Sequence, residues 1–429
     1  MKKNEQRKYF RSFYRRLCDL KKLEEAWNSV YENGIQSPSS QARKQIKDYK
    51  FHERKNLLAL QEKLQNKTFS PKARATPLEK KEKGEYRPVV SYDINTRIVQ
   101  RTMLNILHSH KKIEPILNCS TSFGGLKEKS VSDAVKKICT LFKKEGFTHY
   151  IASDIKSFFT SIKIDDVINW IGTFCKDADF LDLLNKTMKI EVSDLEKINK
   201  LCSKVLEYYN YSNEGVPQGS CLSPLFGNIY LHSLDLELNK NPDIIFLRYI
   251  DDVIIIGKSY KDVINSYNNK LVPGLTNLGL SVYGKEDKKF KQGTFMATKG
   301  VDYLGVNISS NTVKPTKKAT KKLKNEIQIL LDEALNFEAK KPKSLYEILD
   351  IISRKIKGWC NHYWFCNASR EFKMLDANID EMIVKFLSAY NKKLSLLSAN
   401  ELRQQLGVYL ASSQILGKTP IMHELKSKK

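Results

Sequence analysis

Two adjacent aspartates interrupt a long apolar, strand-forming run, and this feature constrains the chain more than any other. The run reads Phe-Leu-Arg-Tyr-Ile-Asp-Asp-Val-Ile-Ile-Ile over residues 246–256. Buried carboxylates are costly unless a charged partner compensates them. A hairpin with strands at 244–249 and 253–256 would carry Asp251 and Asp252 to its tip, where both can face a cation. Standing alone, such a pair is more often an ordinary exposed turn.

A third aspartate favours the functional interpretation. Asp154 follows a second short apolar strand at 150–153, and strands lying side by side would bring it next to the hairpin tip. A carboxylate cluster without His or Cys prefers hard cations, so the expected metal is Mg²⁺. Two such ions about 4 Å apart can stabilise the attacking and leaving oxygens of a displacement at phosphorus. The three aspartates therefore predict two Mg²⁺ ions and phosphoryl-transfer chemistry.

The charge balance predicts nucleic acid as the partner. The 429 residues include 73 Lys and Arg against 48 Asp and Glu, a net charge of +25. Such a surplus attracts polyanions. The sequence contains no run of about 18 apolar residues that could span a bilayer, so we expect no membrane partner. Eight cysteines without a CxxC pair predict reduced thiols and a cytoplasmic protein.

Glycine, proline and serine concentrate at residues 214–225, Glu-Gly-Val-Pro-Gln-Gly-Ser-Cys-Leu-Ser-Pro-Leu. Glycines allow the backbone to approach a flat ligand closely. Ser223-Pro224 is typical of a helix start. In isolation this segment would also fit an ordinary loop, so its meaning depends on the motifs around it.

Patterning divides the chain into four expected segments. Leu57, Leu60 and Leu64 recur at helical spacing and predict a helical N-terminal extension over 1–68. Residues 69–310 alternate strands and helices, with a hairpin turn at Gly84 and one helix over 94–117. Residues 311–390 are expected to form a basic helical region, and 391–429 a basic C-terminal tail.

In their order along the chain, the motifs resemble those of reverse transcriptases. The motifs are Asp154-Ile155-x-x-x-Phe159, Pro217-Gln218-Gly219 with Leu222-Ser223-Pro224, and Tyr249-Ile250-Asp251-Asp252. Arg87-Pro88 and residues 97–100 are similar to the finger motifs of that family, and residues 302–305 to its primer grip. Lys357-Gly358-Trp359-x-Asn361-x-Tyr363 is similar to the thumb motif of the group II intron branch. The resemblance covers residues 70–366 and implies an α+β right-hand fold, with fingers and palm over 69–310 and a thumb over 311–390.

The resemblance implies roles for the central residues. Asp154 and Asp251 match the metal-ligating aspartates, the Ile155 carbonyl a backbone ligand, and Asp252 the third carboxylate. Phe159 matches the bulky residue that stacks under the nucleotide sugar and would clash with a 2′-OH. An aromatic at this position implies a preference for dNTPs over NTPs.

The resemblance also implies contacts to the incoming nucleotide. Gln218 lies in the loop that packs against the nucleotide and the template base. Arg87, together with Lys80 or Lys81, matches the pair that grips the triphosphate. A lysine acting as general acid on pyrophosphate is expected among three candidates, Lys285, Lys288 and Lys289.

Contacts to the template and primer are expected from basic and aromatic residues outside the catalytic cluster. We expect them at Arg97, Lys317, Lys321, Lys357 and Trp359. Four aromatic residues interleaved with arginines near the N-terminus, Tyr9, Phe10, Phe13 and Tyr14, could stack on unpaired bases of an RNA. Packing of these rings into the body of the protein is an equally good interpretation.

Two departures from the group II intron pattern bear on function. Residues 125–130 read Gly-Leu-Lys-Glu-Lys-Ser where intron relatives usually carry an Arg-Pro-Gly-Arg type of run, and Ile250 stands where they favour Ala. The chain most resembles stand-alone, defence-associated bacterial reverse transcriptases, and that resemblance implies an RNA-directed DNA polymerase that makes cDNA from a structured noncoding RNA in antiphage defence. A group II intron maturase lacking mobility domains, a template-independent polymerase of the same fold and an RNA-binding protein without synthesis are the alternatives.

Overall fold

The computed structural model describes residues 12–37, 39–79, 86–193, 209, 214–296, 299–336 and 344–406. The chain clusters into two compact units, one ending at Gly293 and the other beginning at Thr294, whereas the sequence-based division places a boundary after residue 310. Both units combine helices with strands, so the expected α+β class is confirmed. None of the helices in the described ranges is long and apolar enough to cross a membrane.

The described part of the first unit begins with four helices: α1 (Phe13–Leu17), α2 (Leu20–Ile35), α3 (Ser40–Phe51) and α4 (Glu53–Gln65). The Asp19 and Ser39 side chains cap α2 and α3 by accepting hydrogen bonds from backbone N–H groups. The apolar faces of the helices are buried, and Trp27 has no exposed surface. This segment shares one hydrophobic core with the helix at Ile94–His108, so the helical extension is an integral part of the first unit.

The N-terminal aromatic residues that the structure describes are packing residues. Phe13 is buried, with its ring 5.3 Å from that of Phe180. The Tyr14 hydroxyl donates a hydrogen bond to the Leu64 carbonyl oxygen at 2.8 Å. Of the two interpretations of this cluster, packing is therefore correct for Phe13 and Tyr14. Tyr9 and Phe10 lie outside the described residues.

Short strands and helices lead from this segment to the central sheet. They are β1 (Ala73–Ala75), β2 (Leu78–Glu79), β3 (Tyr86–Arg87), β4 (Val90–Tyr92), α5 (Ile94–His108), α6 (Glu114–Leu117) and α7 (Val131–Lys144). The β2–β3 pairing fits the expected hairpin, although Gly84 itself lies outside the described residues. The single helix expected over 94–117 is wrong, because the chain leaves the helix after His108 and starts α6 with a proline in its first turn.

The central sheet has four strands in the order β7-β8-β5-β9, formed by β5 (His149–Asp154), β7 (Ile244–Tyr249), β8 (Asp252–Gly257) and β9 (Lys291–Thr294). Among the described residues between β5 and β9, the other elements are α8 (Phe158–Ser161), α9 (Ile164–Gly172), α10 (Ala178–Met188), β6 (Val192–Ser193), α11 (Ser223–Leu238), α12 (Tyr260–Ser266), a π-helical turn (Tyr267–Leu271) and α13 (Val272–Asn277). Strands β5, β7 and β8 pair antiparallel. The middle residues of β8, 253–256, are almost completely buried, as their apolar sequence predicts.

The second unit contains a small sheet and a helical part. The sheet consists of β10 (Val301–Tyr303), β11 (Val306–Ile308) and β12 (Val313–Pro315) in that order. The helices are α14 (Lys317–Ala334), α15 (Leu345–His362), α16 (Ser369–Leu394) and α17 (Ala399–Leu406). Leucine, isoleucine and aromatic residues from α14, α15 and α16 form a hydrophobic core of their own.

Candidate active site

Strand pairing brings the three aspartates together. In the β5–β8 register Asp154 stands opposite Asp252, and in the β7–β8 register Tyr249 stands opposite Asp252. Residues 250 and 251 therefore form a two-residue turn. The Ile155 N–H donates to the Asp251 carbonyl oxygen at 2.8 Å, which fixes the turn to the end of β5. The apolar strands thus place two carboxylates from one hairpin beside a third from its neighbour.

The turn adopts an unusual backbone conformation. Ile250 has a φ of 61°, a left-handed conformation that is strained for a β-branched residue. Gly124 packs directly against it, because a Cβ at position 124 would lie 2.4 Å from Ile250 Cγ1 and 2.5 Å from the Ile250 nitrogen. The position of the Asp251 carboxylate therefore depends on contacts made by its neighbours in the fold.

The other edge of β5 is held by residues 281–283. The Tyr283 N–H donates to the Asp154 carbonyl oxygen at 3.1 Å, and the Ser153 hydroxyl donates to the Tyr283 carbonyl oxygen at 2.8 Å. The Tyr267 hydroxyl, at the start of the π-helical turn, donates to that same carbonyl at 2.9 Å. Asp154 is thereby fixed by hydrogen bonds on both sides of its strand.

Crowding of the carboxylates changes their protonation. Burial, followed by the charges of Asp154 and Asp251, raises the pKa of Asp252 to about 8. Burial also raises the pKa of Asp251, and Asp154 adds to that effect, while Lys289 and Arg87 oppose it. Partly buried carboxylates that repel one another are ionised at lower cost when a cation lies between them.

Among the three candidate lysines, the structure places Lys289 beside the aspartates. Its Nζ atom lies 2.9 Å from Asp154 Oδ2 and 4.4 Å from the centre of the Tyr283 ring. Burial alone would lower the pKa of Lys289, but the hydrogen bond and charge of Asp154 outweigh it and raise that pKa. An ammonium group against Asp154 shows that this site accommodates positive charge.

The donor set fits a hard divalent cation. Three carboxylates and the backbone of Ile155 offer oxygen ligands only, which is the chemistry that Mg²⁺ prefers. A different trio, Cys119, His232 and Asp235, brings its ligand atoms within 4.8 Å of one another. Both oxygens of Asp235 already accept hydrogen bonds from the Arg248 guanidinium, so a cation there would meet a positive charge.

The residues expected to contact the nucleotide lie on segments that are joined by backbone hydrogen bonds. The Phe159 carbonyl oxygen accepts from the Val216 N–H at 2.6 Å, and the Phe159 ring is half-buried beside that of Phe158. The Gln218 carbonyl oxygen accepts from the Val90 N–H at 2.7 Å. Backbone hydrogen bonds therefore link the 214–219 loop both to the residues after β5 and to β4.

The basic residues expected in the fingers differ in exposure. Arg87 is exposed, and its charge acts on Asp251. Arg97 is half-buried, with a pKa lowered by burial and, more weakly, by the charge of Arg101. Lys80 and Lys81 lie outside the described residues. Of the expected pair for the triphosphate, the structure therefore positions only Arg87.

The second unit carries the remaining expected contacts. Lys317 and Lys321 are exposed on α14, and Lys357 is exposed on α15. Trp359 is half-buried on α15, and its proposed contact with nucleic acid stays a prediction. Its indole packs 4.6 Å from the Tyr363 ring and 5.7 Å from that of Phe372, where it helps to hold α15.

Sequence reasoning missed three polar residues near the turn. Arg248 and Asp235 form a buried ion pair at 2.6 Å, and Asn228 accepts from Arg248 Nη1 at 3.0 Å. A charged residue inside the apolar run 244–256 was the available signal. Its partners lie 13 and 20 positions away in sequence, so their identity required the fold.

Two family models match the chain. The model of the reverse transcriptase (RNA-dependent DNA polymerase) family matches residues 78–308, which include all three aspartates, Phe159 and Gln218. The model of the group II intron, maturase-specific domain matches residues 333–404, which include Lys357 and Trp359.

Curated relatives include several intron-encoded proteins. The group II intron-encoded protein LtrA of Lactococcus lactis subsp. cremoris is 30% identical over 175 residues, 40% of this chain and 26% of the relative. Protein YkfC of Escherichia coli is 29% identical over 188 residues, 42% of each chain. An uncharacterized 91 kDa protein in the cob intron of Schizosaccharomyces pombe is 32% identical over 155 residues, 36% of this chain and 17% of the relative. The chain thus spans less than half the length of these relatives.

Similarity to solved structures is low. A telomerase from Candida tropicalis, solved with a fragment of telomeric RNA, matches at a TM-score of 0.38 and 13% identity, over 84% of this chain and 68% of that one. A Cas6-RT-Cas1–Cas2 complex matches at a TM-score of 0.34 and 18% identity, over 58% of this chain and 24% of that one.

The raised pKa of Asp252 predicts a pH-dependent stability. The folded-state pKa of Asp252, about 8, stands above its unfolded value of about 3.9. The contribution of Asp252 to the free energy of unfolding is therefore fully present below about pH 4 and is lost as the pH rises through 8. In metal-free protein, Asp252→Asn should therefore raise Tm at pH 8 by at least about 2–4 °C, with a much smaller gain at pH 4. Thermal unfolding in chelator measures both.

The exposed Asp166 provides the control, since Asp166→Asn relieves no crowding of buried carboxylates and should not raise Tm at pH 8. A gain for Asp252→Asn that is the same at pH 4 and pH 8 would contradict this electrostatic account.

Proposed function

Because the chain belongs to the reverse transcriptase family, we propose that it is an RNA-directed DNA polymerase that copies an RNA template into cDNA from dNTPs. The observation that carries the proposal is the strand register that sets Asp154 opposite Asp252 and leaves Asp251 in the adjoining turn. This arrangement supplies carboxylates from two neighbouring strands to one place, as nucleotidyl transfer with bound metal requires.

In this proposal Asp154, Asp251, Asp252 and the Ile155 carbonyl would hold two Mg²⁺ ions. Bound Mg²⁺ would supply charge stabilisation to the phosphoryl oxygens. The protein residues around the carboxylates fix where that charge is placed. Hydrogen bonds from Tyr283 and Ile155 keep the end of β5 and the hairpin turn in register.

Lys289 is the best candidate for the general acid on the pyrophosphate leaving group. It is the lysine of its group that contacts Asp154, and the raised pKa of Lys289 keeps it protonated before nucleotide arrives. In the proposed reaction its ammonium donates a proton to a phosphate oxygen of the departing pyrophosphate. Lys285 and Lys288 are the competing assignments.

The nucleotide would contact residues on the linked loops around the aspartates. Phe159 would pack under the sugar and exclude a 2′-OH, and Gln218 would face the nucleotide and the template base. Arg87 would bind the triphosphate, since its charge already reaches Asp251. Lys80 is proposed as its partner, and Arg97 as a contact to the template strand.

We propose a structured noncoding RNA as the template and antiphage defence in the cytoplasm as the setting. The net charge of +25 exceeds what a catalytic cleft needs, and exposed lysines such as Lys317, Lys321 and Lys357 offer further phosphate contacts. Seven free thiols among the described cysteines fit a reducing compartment.

A second candidate is a group II intron-type maturase. The match of residues 333–404 to the maturase-specific domain favours it directly. It shares the polymerase chemistry but predicts a different RNA partner, an intron containing the reading frame. Sequencing the RNA that co-purifies with the protein separates the two: one noncoding RNA transcript supports the first, and intron RNA the second.

Removing the paired aspartates should abolish synthesis. Asp251→Ala with Asp252→Ala should lower dNTP incorporation on a primed RNA template by at least about 10³-fold, because the metal charge is lost from the reacting phosphate. The chain offers a matched control in a second, exposed Asp-Asp pair, Asp165 and Asp166. The same double change there should leave incorporation near wild type, and retained synthesis in the first variant would refute the mechanism.

Shortening Phe159 should weaken the choice of sugar. Phe159→Val opens space for a 2′-OH, so the use of rNTPs relative to dNTPs should rise on the order of tenfold. The ratio of kcat/KM for the two nucleotides measures this effect. Phe158, its buried neighbour, is the control: Phe158→Leu should lower stability and leave the ratio unchanged. An unchanged ratio in Phe159→Val would show that this ring only packs.

Reversing charges on α14 should weaken the binding of RNAs of different nucleotide sequence to the same extent. Changing Lys317, Lys318, Lys321 and Lys322 to Glu should lower affinity and reduce the slope of log Kd against log salt by about one per lost phosphate contact. The control changes Lys240, Lys258, Lys261 and Lys270 to Glu, with the same change in net charge. Equal losses in both variants would show that only overall charge matters.

A further inference from the structure

Arg248 lies within an apolar strand and is 1% exposed. Its Nε and Nη2 atoms donate to the two carboxylate oxygens of Asp235 at 2.9 and 2.6 Å. Its Nη1 atom donates to Asn228 Oδ1 at 3.0 Å and to the Ile250 carbonyl oxygen at 3.2 Å. We call Arg248, Asp235 and Asn228 the Arg248 network; it joins helix α11 to the turn that carries Asp251.

The network is poorly explained by stability alone. Desolvating two charges costs about as much as their attraction returns, and buried ion pairs can often be replaced by apolar residues of similar volume. Outside the ion pair, Arg248 makes two hydrogen bonds that an apolar residue could not make, to Asn228 Oδ1 and to the Ile250 carbonyl oxygen. The second of them reaches the residue between Tyr249 and the paired aspartates.

The turn needs external support. Ile250 has a φ of 61°, and left-handed conformations of such residues persist where surrounding contacts hold them. Gly124 closes one side of Ile250, and the Asn228 Nδ2 atom donates to the Gly124 carbonyl oxygen at 3.0 Å. The network therefore fixes both Ile250 itself and the backbone segment packed against it.

Helix α11 connects this support to the nucleotide loop. Asn228 and Asp235 are seven residues apart and lie on one face of α11. The helix starts at Ser223, whose hydroxyl donates to the Pro217 carbonyl oxygen at 2.7 Å. The same rigid helix thus positions the loop containing Gln218 and the turn containing Asp251.

We propose that Arg248 is a positioning residue, which holds the Ile250–Asp251 turn so that Asp251 and Asp252 face Asp154 and bind divalent metal together. Its effect on catalysis rests on the function proposed above, whereas its effect on metal binding does not. Residues that orient metal ligands without touching the metal typically change affinity or activity 10–100-fold when altered.

The test is the double variant Arg248→Met with Asp235→Leu, which removes both buried charges and the hydrogen bond to Ile250. We expect a folded protein with Tm close to wild type, Mn²⁺ binding weakened about 10–100-fold and kcat for dNTP incorporation lowered by a similar factor. Mn²⁺ binding is measured by electron paramagnetic resonance, and Kd for primer–template should not change.

A matched control lies at the far end of the same two strands. Lys258 and Asp243 form an exposed ion pair at 2.9 Å. Lys258→Met with Asp243→Leu makes the same chemical change, and we expect Mn²⁺ affinity and kcat as in wild type. If both double variants lose Mn²⁺ affinity equally, the effect is not specific to the turn and the proposal is wrong.

A milder variant covers the case in which the first double variant does not fold. Arg248→Lys keeps a charge for Asp235 but lacks the planar group that reaches Asp235, Asn228 and Ile250 together, so the same losses are expected at a smaller size. A folded Arg248 variant with wild-type Mn²⁺ affinity and kcat overturns the proposal. Failure of both variants to fold would assign Arg248 to stability and also overturn it.

These outcomes are distinct from failure of the proposed function. Wild-type protein that binds Mn²⁺ but makes no DNA would refute the polymerase activity. The Mn²⁺ affinities of the Arg248 variants would still decide the role of Arg248.

Discussion

The cross-strand pairing of Asp154 with Asp252 is the constraint on which the rest of the site depends. Two partly buried carboxylates side by side repel each other, and burial raises the pKa of Asp252 to about 8. The fold tolerates this cost because the hydrogen bonds of β5, β7 and β8 fix the register. A cation bound between the carboxylates would offset this repulsion, which is why we propose a metal site there.

Much of the surrounding structure maintains that pairing. Residues 281–283 hold the outer edge of β5, and Arg248 and Gly124 hold the turn that follows β7. Helix α11 ties the turn to the loop containing Gln218. Together these contacts hold the ends of β5, β7 and β8 that carry the three aspartates.

The sequence predicted the parts of the site that follow local rules. Apolar runs on either side of Asp251 and Asp252 predicted the hairpin, and the short strand before Asp154 predicted its neighbour. Contacts between residues distant in sequence could not be predicted, and the ion pair of Arg248 with Asp235 is an example. The contact between the Trp359 ring on α15 and the Phe372 ring on α16 likewise required the fold. No sequence feature predicted the left-handed backbone conformation of Ile250, because glycine is the residue usually found in that conformation.

The central claim is that residues from different strands act as one metal-binding centre for DNA synthesis. The most direct measurement is primer extension on an RNA template with dNTPs and Mg²⁺, comparing wild type with Asp154→Asn. This change leaves the Asp251–Asp252 hairpin intact and removes only the opposing charge. The account predicts alkali-resistant, template-length product from wild type and none from the variant. Comparable product from both proteins would contradict it.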